Sequence, residues 1–186
     1  MKNVLLLAVS VGVIALAATP ALGGGPGAPK FVTGTEVGTT TSTATSNYVF
    51  HSESDGVLNA KQPWGKLRYH RDAYPDWTGG LWPSNPCATI TFPASTTYWD
   101  VNNSANSFYT YFTGTVCELP VADSDPPLFN NTRYKSNLVE VVYPDSGQGR
   151  FDGLTGTLTT TGISTATATP GTFTDAFKTN GTLNLP

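Results

Sequence analysis

Two short runs set imidazoles beside carboxylates at strand spacing: His51-x-Glu53-x-Asp55 and His70-x-Asp72. Residues two apart on an extended strand project to one face, so either run offers nitrogen and oxygen ligands to one metal ion, or a His-carboxylate pair for proton transfer. Alternating polar residues on a solvent-facing strand write the same pattern, and Asp55-Gly56 reads as a turn that carries Asp55 off the sheet. Neither Cys87 nor Cys117 has a Cys or His neighbour at the short spacing of a structural zinc site, and no metal ion is expected. Any two of Glu36, Glu53, Asp72, Asp76, Asp100, Glu118 and Glu140 would supply the carboxylate pair of a glycosidase, but their spacing favours none. The Gly-x-Ser-x-Gly turn of a serine hydrolase does not occur. Gly147-x-Gly149 lacks the lysine and the following helix of a phosphate-binding loop, so neither nucleotide nor other cofactor is expected.

The aromatic residues carry a stronger signal. Trp64, Trp77 and Trp82, three of the four tryptophans, fall in the Pro- and Gly-rich stretch from Lys61 to Cys87. Long loops that hold large rings are frequently functional. Together with Tyr69 and His70 these rings are the candidate ligand contacts, suited to stacking on a sugar or enclosing a flat hydrophobic molecule. The competing reading packs the same rings as ordinary core at the ends of the fold.

These residues must be positioned by strands. Short β-branched and aromatic runs bounded by Gly, Pro, Asn and Asp recur throughout, with no stripe of helical period after the N-terminal segment. Expected strands are 31–43, 47–53, 65–70, 88–92, 107–116, 136–143, 156–163 and 171–185, the last open to division in two. The fold class is all-β: a single closed antiparallel barrel of about eight strands, with a β-sandwich as the alternative. In the strand from Ser107 to Val116 both faces are partly aromatic, the pattern of a strand covered on both sides or lining a cavity on one. Glu140 shares a face with Leu138 and Val142 and is expected near the strand end with its carboxylate in water. A second loop, Leu119 to Arg133, is expected to cross one barrel end.

The segment Gly147-Gln-Gly149-Arg150-Phe151-Asp152-Gly153-Leu-Thr-Gly156 combines a tight turn with a bulge that feeds a strand. It resembles the Gly-x-Gly-Arg-Phe-x-Gly-x-x-Gly signature of small exported β-barrels related to allene oxide cyclase and dirigent proteins. The resemblance implies a barrel that binds a small hydrophobic or aromatic molecule and, in its enzymatic form, a cofactor-free cyclase or isomerase that controls the shape of a reactive intermediate. The family's catalytic residues have no match here, so none is carried over. Arg150 is expected to tie loop carbonyls or Asp152, and Phe151 to plug the core beneath the turn. The alternative function, resting on the loop tryptophans, is a carbohydrate-binding or cell-surface module without catalysis.

Lys2 precedes an apolar run from Val4 to Ala18 broken only by Ser10, followed by Thr19-Pro20-Ala21-Leu22-Gly23. This reads as a secretory signal peptide over 1–23. The run is shorter than the roughly 20 residues a spanning helix needs, so no stable membrane insertion is expected. A flexible leader over 24–30 and a barrel domain over 31–186 follow. Export to an extracellular or periplasmic space favours one disulfide between Cys87 and Cys117. Three triplets, at Asn102, Asn130 and Asn180, fit N-glycosylation should the source be eukaryotic. With 12% charged residues and a net charge of −3, the chain has no basic excess for nucleic acid.

Overall fold

A computed structural model describes residues 28–78, 87–90, 93–119 and 133–186. The chain runs through β1 (Lys30–Ala44), β2 (Phe50–Ala60), β3 (Lys66–Ala73), β4 (Pro75–Asp76), β5 (Cys87–Ile90), β6 (Ser95–Asp100), β7 (Ser107–Glu118), β8 (Arg133–Val142), β9 (Thr155–Ala166) and β10 (Thr172–Asn184). Among the described residues a single 3₁₀ turn covers Gly149–Phe151. All the ladders between these strands are antiparallel. Eight strands in the order β7-β6-β3-β2-β1-β10-β9-β8 close on themselves through the β7–β8 ladder, and β5 and β4 extend the sheet beyond β7. Closure follows from composition: long Thr-, Val- and Tyr-rich strands leave hydrogen-bonding edges that only a barrel removes.

Most expected strands stand, with four differences, one of them the two-residue β4 within the stretch read as loop. β2 continues through Asp55-Gly56 to Ala60, because Gly56 lies opposite Gly38 in the β1–β2 ladder and the pair is held extended rather than turned. β6 was not foreseen, since its Ser95-Thr-Thr-Tyr-Trp-Asp100 run follows a proline-rich stretch that reads as loop. β10 is unbroken.

Inward and outward residues alternate along every long strand, and the interior is divided along the barrel axis. One end is plugged by Val32, Leu58, Trp64, Leu67, Tyr69, Tyr98, Phe108, Phe151, Leu154, Leu158 and Leu183. A smaller cluster of Ala73, Ile90, Ala94, Phe112 and Leu138 lines part of the other half. The segment singled out around Arg150 closes the plugged end. Gly149 (φ 60°) and Gly153 (φ 68°) take left-handed conformations that suit glycine, and Phe151 is buried against Trp64 and Phe108. Arg150 donates to the carbonyls of Pro63 and Trp64 and pairs with Asp100 at 3.1 Å, so its acidic partner is Asp100 rather than Asp152.

Cys87 and Cys117 form a disulfide at facing positions of the β5–β7 ladder. It fastens the added strands to the barrel wall and, in the chain-entropy account, contributes about 3 kcal/mol. Among the described residues no helix is long and apolar enough to cross a membrane. The expected signal peptide, most of the leader and the Asn130 triplet lie outside the described residues.

Candidate functional site

Three inward positions of the barrel carry charges that only the rest of the wall can satisfy. In β3 the inward row is Leu67, Tyr69, Arg71 and Ala73. Arg71 thus lies inside the barrel at 4% exposure, facing Glu36 of β1 and Glu140 of β8, exposed 1% and 0%. Its Nη2 is 2.9 Å from Glu140 Oε1 and 3.2 Å from Glu36 Oε2, and its Nε donates to Thr96 Oγ1 at 3.1 Å. Glu140 also accepts from Tyr98, Thr110 and Thr160, while Glu36 accepts from Thr179. The rings of Tyr69, Phe112 and Phe177 surround the guanidinium at 5.0, 5.7 and 6.0 Å.

Glu140 was expected near a strand end with its carboxylate in water. It is instead enclosed within the barrel, because closure turns the Leu138–Glu140–Val142 row toward the axis. Burial drives the Glu36 carboxyl above its usual range, the neighbouring Glu140 adds to this, and Arg71 and the Thr179 hydroxyl oppose it. Burial works against the Arg71 charge, but Glu36 and Glu140 hold the guanidinium well above its ordinary value, so it stays charged. Burial and the two glutamates likewise raise the Tyr98 phenol, which remains a neutral donor.

Above this layer the barrel opens into a cavity of about 870 Å³. Arg71 and Phe177 reach its floor, while both glutamates lie beneath it and away from its surface. One wall is hydroxylic, with Thr40, Ser42, Ser52, Ser54 and Ser164 from β1, β2 and β9. The opposite wall is apolar, with Ala73, Ile90, Phe112, Val116 and Leu138. At the mouth stand Tyr48, Phe50, Trp77, Tyr134 and Phe173, with Trp77–Tyr134 and Tyr134–Phe173 in edge-to-face contact at 6.0 and 5.5 Å. Asp175 occupies the inward position of β10 between Phe173 and Phe177 and is 4% exposed. Its Oδ2 accepts from Thr40 at 2.6 Å, and no hydrogen bond of full geometry reaches Oδ1. Burial raises the Asp175 carboxyl, against the lowering effect of the Thr40 and Ser164 hydroxyls and of the Arg71 charge.

The five residues expected to contact a ligand are dispersed. Trp77 lines the cavity mouth. Trp64 is buried in the plug at the other end, where Nε1 donates to the Phe31 carbonyl at 3.2 Å. Tyr69 is packed in the core beneath Arg71, and His70 is on the outer wall with Asp55 at 2.9 Å. Trp82 lies outside the described residues. The histidine runs also behave differently from their spacing. His51 pairs with Asp72 at 2.7 Å and stacks on Tyr74, and His70 pairs with Asp55, so both pairs cross from β2 to β3 on the outside of the barrel. The outer tyrosines Tyr109, Tyr111 and Tyr143 meet at 79° and 86°, which presents ring edges rather than one flat platform.

Arg71, Glu36 and Asp175 were missed as members of one site. The parity of β3 held the signal for Arg71, since it shares a row with Leu67 and Tyr69. The convergence of strands far apart in sequence held none.

What the fold and site define is an eight-stranded antiparallel β-barrel with one end plugged, a buried guanidinium layer at mid-height and an amphipathic cavity opening at the other end. No protein-family model, curated protein or solved structure matches the chain.

Proposed function

We propose that this protein is an exported barrel that binds a small hydrophobic or aromatic molecule within its cavity, in the manner of the allene oxide cyclase and dirigent-like barrels that its Gly149-Arg150-Phe151 segment resembles. The observation that carries this reading is the cavity itself: about 870 Å³, within the range that encloses a drug-sized molecule, with an apolar wall on one side and hydroxyls on the other. Where the bound molecule reacts, the chemistry is cofactor-free cyclisation or isomerisation guided by shape. Glu36 and Glu140 are shielded by Arg71, so the groups within reach of a ligand are the guanidinium, the Glu118 carboxyl, the serine and threonine hydroxyls and the mouth aromatics. Export draws support from the sequence of the first 23 residues and is compatible with the disulfide.

Titrating the purified protein, freed of residues 1–23, with a panel of hydrophobic compounds and soluble oligosaccharides tests the reading through tryptophan fluorescence, with Trp77 at the mouth as reporter. Saturable change with hydrophobic compounds is the expected result. A response to oligosaccharides alone would replace it with a carbohydrate-binding module.

A further inference from the structure

Arg71 is the only cation among the described residues that line the cavity, and the protein uses only part of its guanidinium. Nε donates to Thr96, and Nη2 donates to Glu36, Glu140 and Tyr98. Nη1 has no hydrogen-bond partner among the described residues, yet it is not one of the enclosed unpartnered atoms, which are Tyr69 Oη, Asp175 Oδ1 and Asn184 Oδ1. It therefore keeps an accessible surface, and because Arg71 lines the cavity floor, that surface faces the cavity. The neighbouring hydroxyl does not claim it. Ser54 lies directly opposite Arg71 in the β2–β3 ladder, but its oxygen is joined to Thr40 at 2.6 Å. Thr40 gives its own proton to Asp175, so Ser54 is the donor of that pair and can only accept from a ligand. The donor at the floor is Nη1.

Resting on the reading that the cavity binds a small molecule, we propose that this molecule is uncharged and carries a carbonyl oxygen, which seats on Arg71 Nη1 at the cavity floor. Its apolar body lies along Ile90, Phe112, Val116 and Leu138 toward the mouth. A guanidinium N–H left without an acceptor once a ligand has expelled water is costly, and a charge-assisted hydrogen bond to a carbonyl removes that cost. The charge count disfavours a carboxylate in the same place. Glu36 and Glu140 already outnumber the one guanidinium, Asp175 is buried nearby and Glu118 stands at the rim, so an anion would bring a further like charge into a low-dielectric space. A carbonyl adds an acceptor and no charge.

Three probes of nearly one shape isolate the floor contact: 2-acetylnaphthalene, 2-isopropenylnaphthalene, in which a methylene replaces the carbonyl oxygen, and 2-naphthoate, each titrated with the protein by calorimetry at neutral pH. The ketone should bind at least as tightly as the more hydrophobic alkene, and about tenfold or more tighter than the carboxylate. Arg71→Lys keeps a cation for the two glutamates but lacks Nη1, and the ketone's affinity relative to the alkene's should fall by about tenfold or more. Infrared difference spectroscopy supplies a second reading: the carbonyl stretch of the bound ketone should lie below its position in hydrocarbon solvent, and return toward it in Arg71→Lys. Should that variant fail to fold, the carbonyl band and the ketone-to-carboxylate order in the parent decide the matter. Tightest binding by the carboxylate, an unshifted carbonyl band, or a ketone-to-alkene ratio that Arg71→Lys leaves unchanged would overturn the assignment and leave the cavity reading in place. Failure of all three probes, and of the wider panel, would remove the cavity reading and this inference with it.

Discussion

Arg71 and Glu140 meet at 2.9 Å across the axis of the barrel, from β3 to β8, two strands that share no edge. With Glu36 completing the layer, these side chains tie opposite walls together and set the floor of the cavity. The layer is also a risk to stability, because a buried charge is tolerated only while every partner is present.

Removing the guanidinium therefore tests the layer directly. Arg71→Met leaves Glu36 and Glu140 without a cation and should lower the unfolding free energy by about 3–5 kcal/mol, measured by urea denaturation. Adding Glu36→Gln and Glu140→Gln to that variant should restore part of the loss. A single variant as stable as the parent would show that the ion layer is not coupled to folding.

Stability should depend on pH in a direction opposite to ordinary acid denaturation. Burial raises the carboxyls of Glu36 and Asp175 from their usual values of 4.5 and 3.8. In the window from those values up to the raised folded values, the native state holds protons that the unfolded chain has released. The stabilisation is complete below the window and is lost as pH rises through it. Melting temperature followed by circular dichroism should accordingly decline as pH rises above these ordinary values of 3.8 and 4.5, and Glu36→Gln should flatten part of the decline. Identical pH profiles for parent and variant would contradict the assignment to Glu36.

Tyr69 offers a stabilising substitution. Its hydroxyl is buried without a hydrogen bond, in space left by the paired glycines Gly38 and Gly56, where an added Cβ would lie 2.5 and 2.6 Å from the oxygen. Tyr69→Phe keeps the ring under Arg71 and removes the unpartnered group, so stability should rise by about 1 kcal/mol. Gly56→Ala should destabilise. Loss of stability in the phenylalanine variant would mean that the hydroxyl has a partner, such as an enclosed water.

Filling the cavity should abolish ligand binding without unfolding the protein. Ser136 is an inward residue of β8 that lines the cavity next to Leu138, and Ser136→Trp places an indole in the space a ligand would take. The hydrophobic probes should lose saturable binding while the far-ultraviolet spectrum is retained. Undiminished binding would move the site elsewhere on the molecule.

The all-β class and most strands were legible because alternation is a local property: β7 carries its period-2 pattern within a dozen residues. The buried role of Phe151 was legible too, since a large apolar side chain between glycines has few other places to go. The ligand contacts were less so. Trp64 and Trp77 sit thirteen residues apart in similar turn-rich sequence, yet one plugs the closed end and the other stands at the open mouth. Composition sees two tryptophans in loops; the choice of barrel end depends on how β2, β3 and β4 wind around the axis.

By itself the sequence determined the alternation that makes strands, the cysteine pair that can be joined and the turn chemistry around Arg150. Only the tertiary structure decided which face of each strand became the inside, because a barrel closes through ladders between residues as distant as Glu36 and Phe177. That closure took Glu140 out of the water expected for it, paired His51 and His70 across strands rather than along them, and gathered Arg71, Glu36 and Asp175 about one cavity. The physical reason is that burial of a charge depends on what the surrounding strands supply, and in this fold those partners come from up to 143 positions away in the chain.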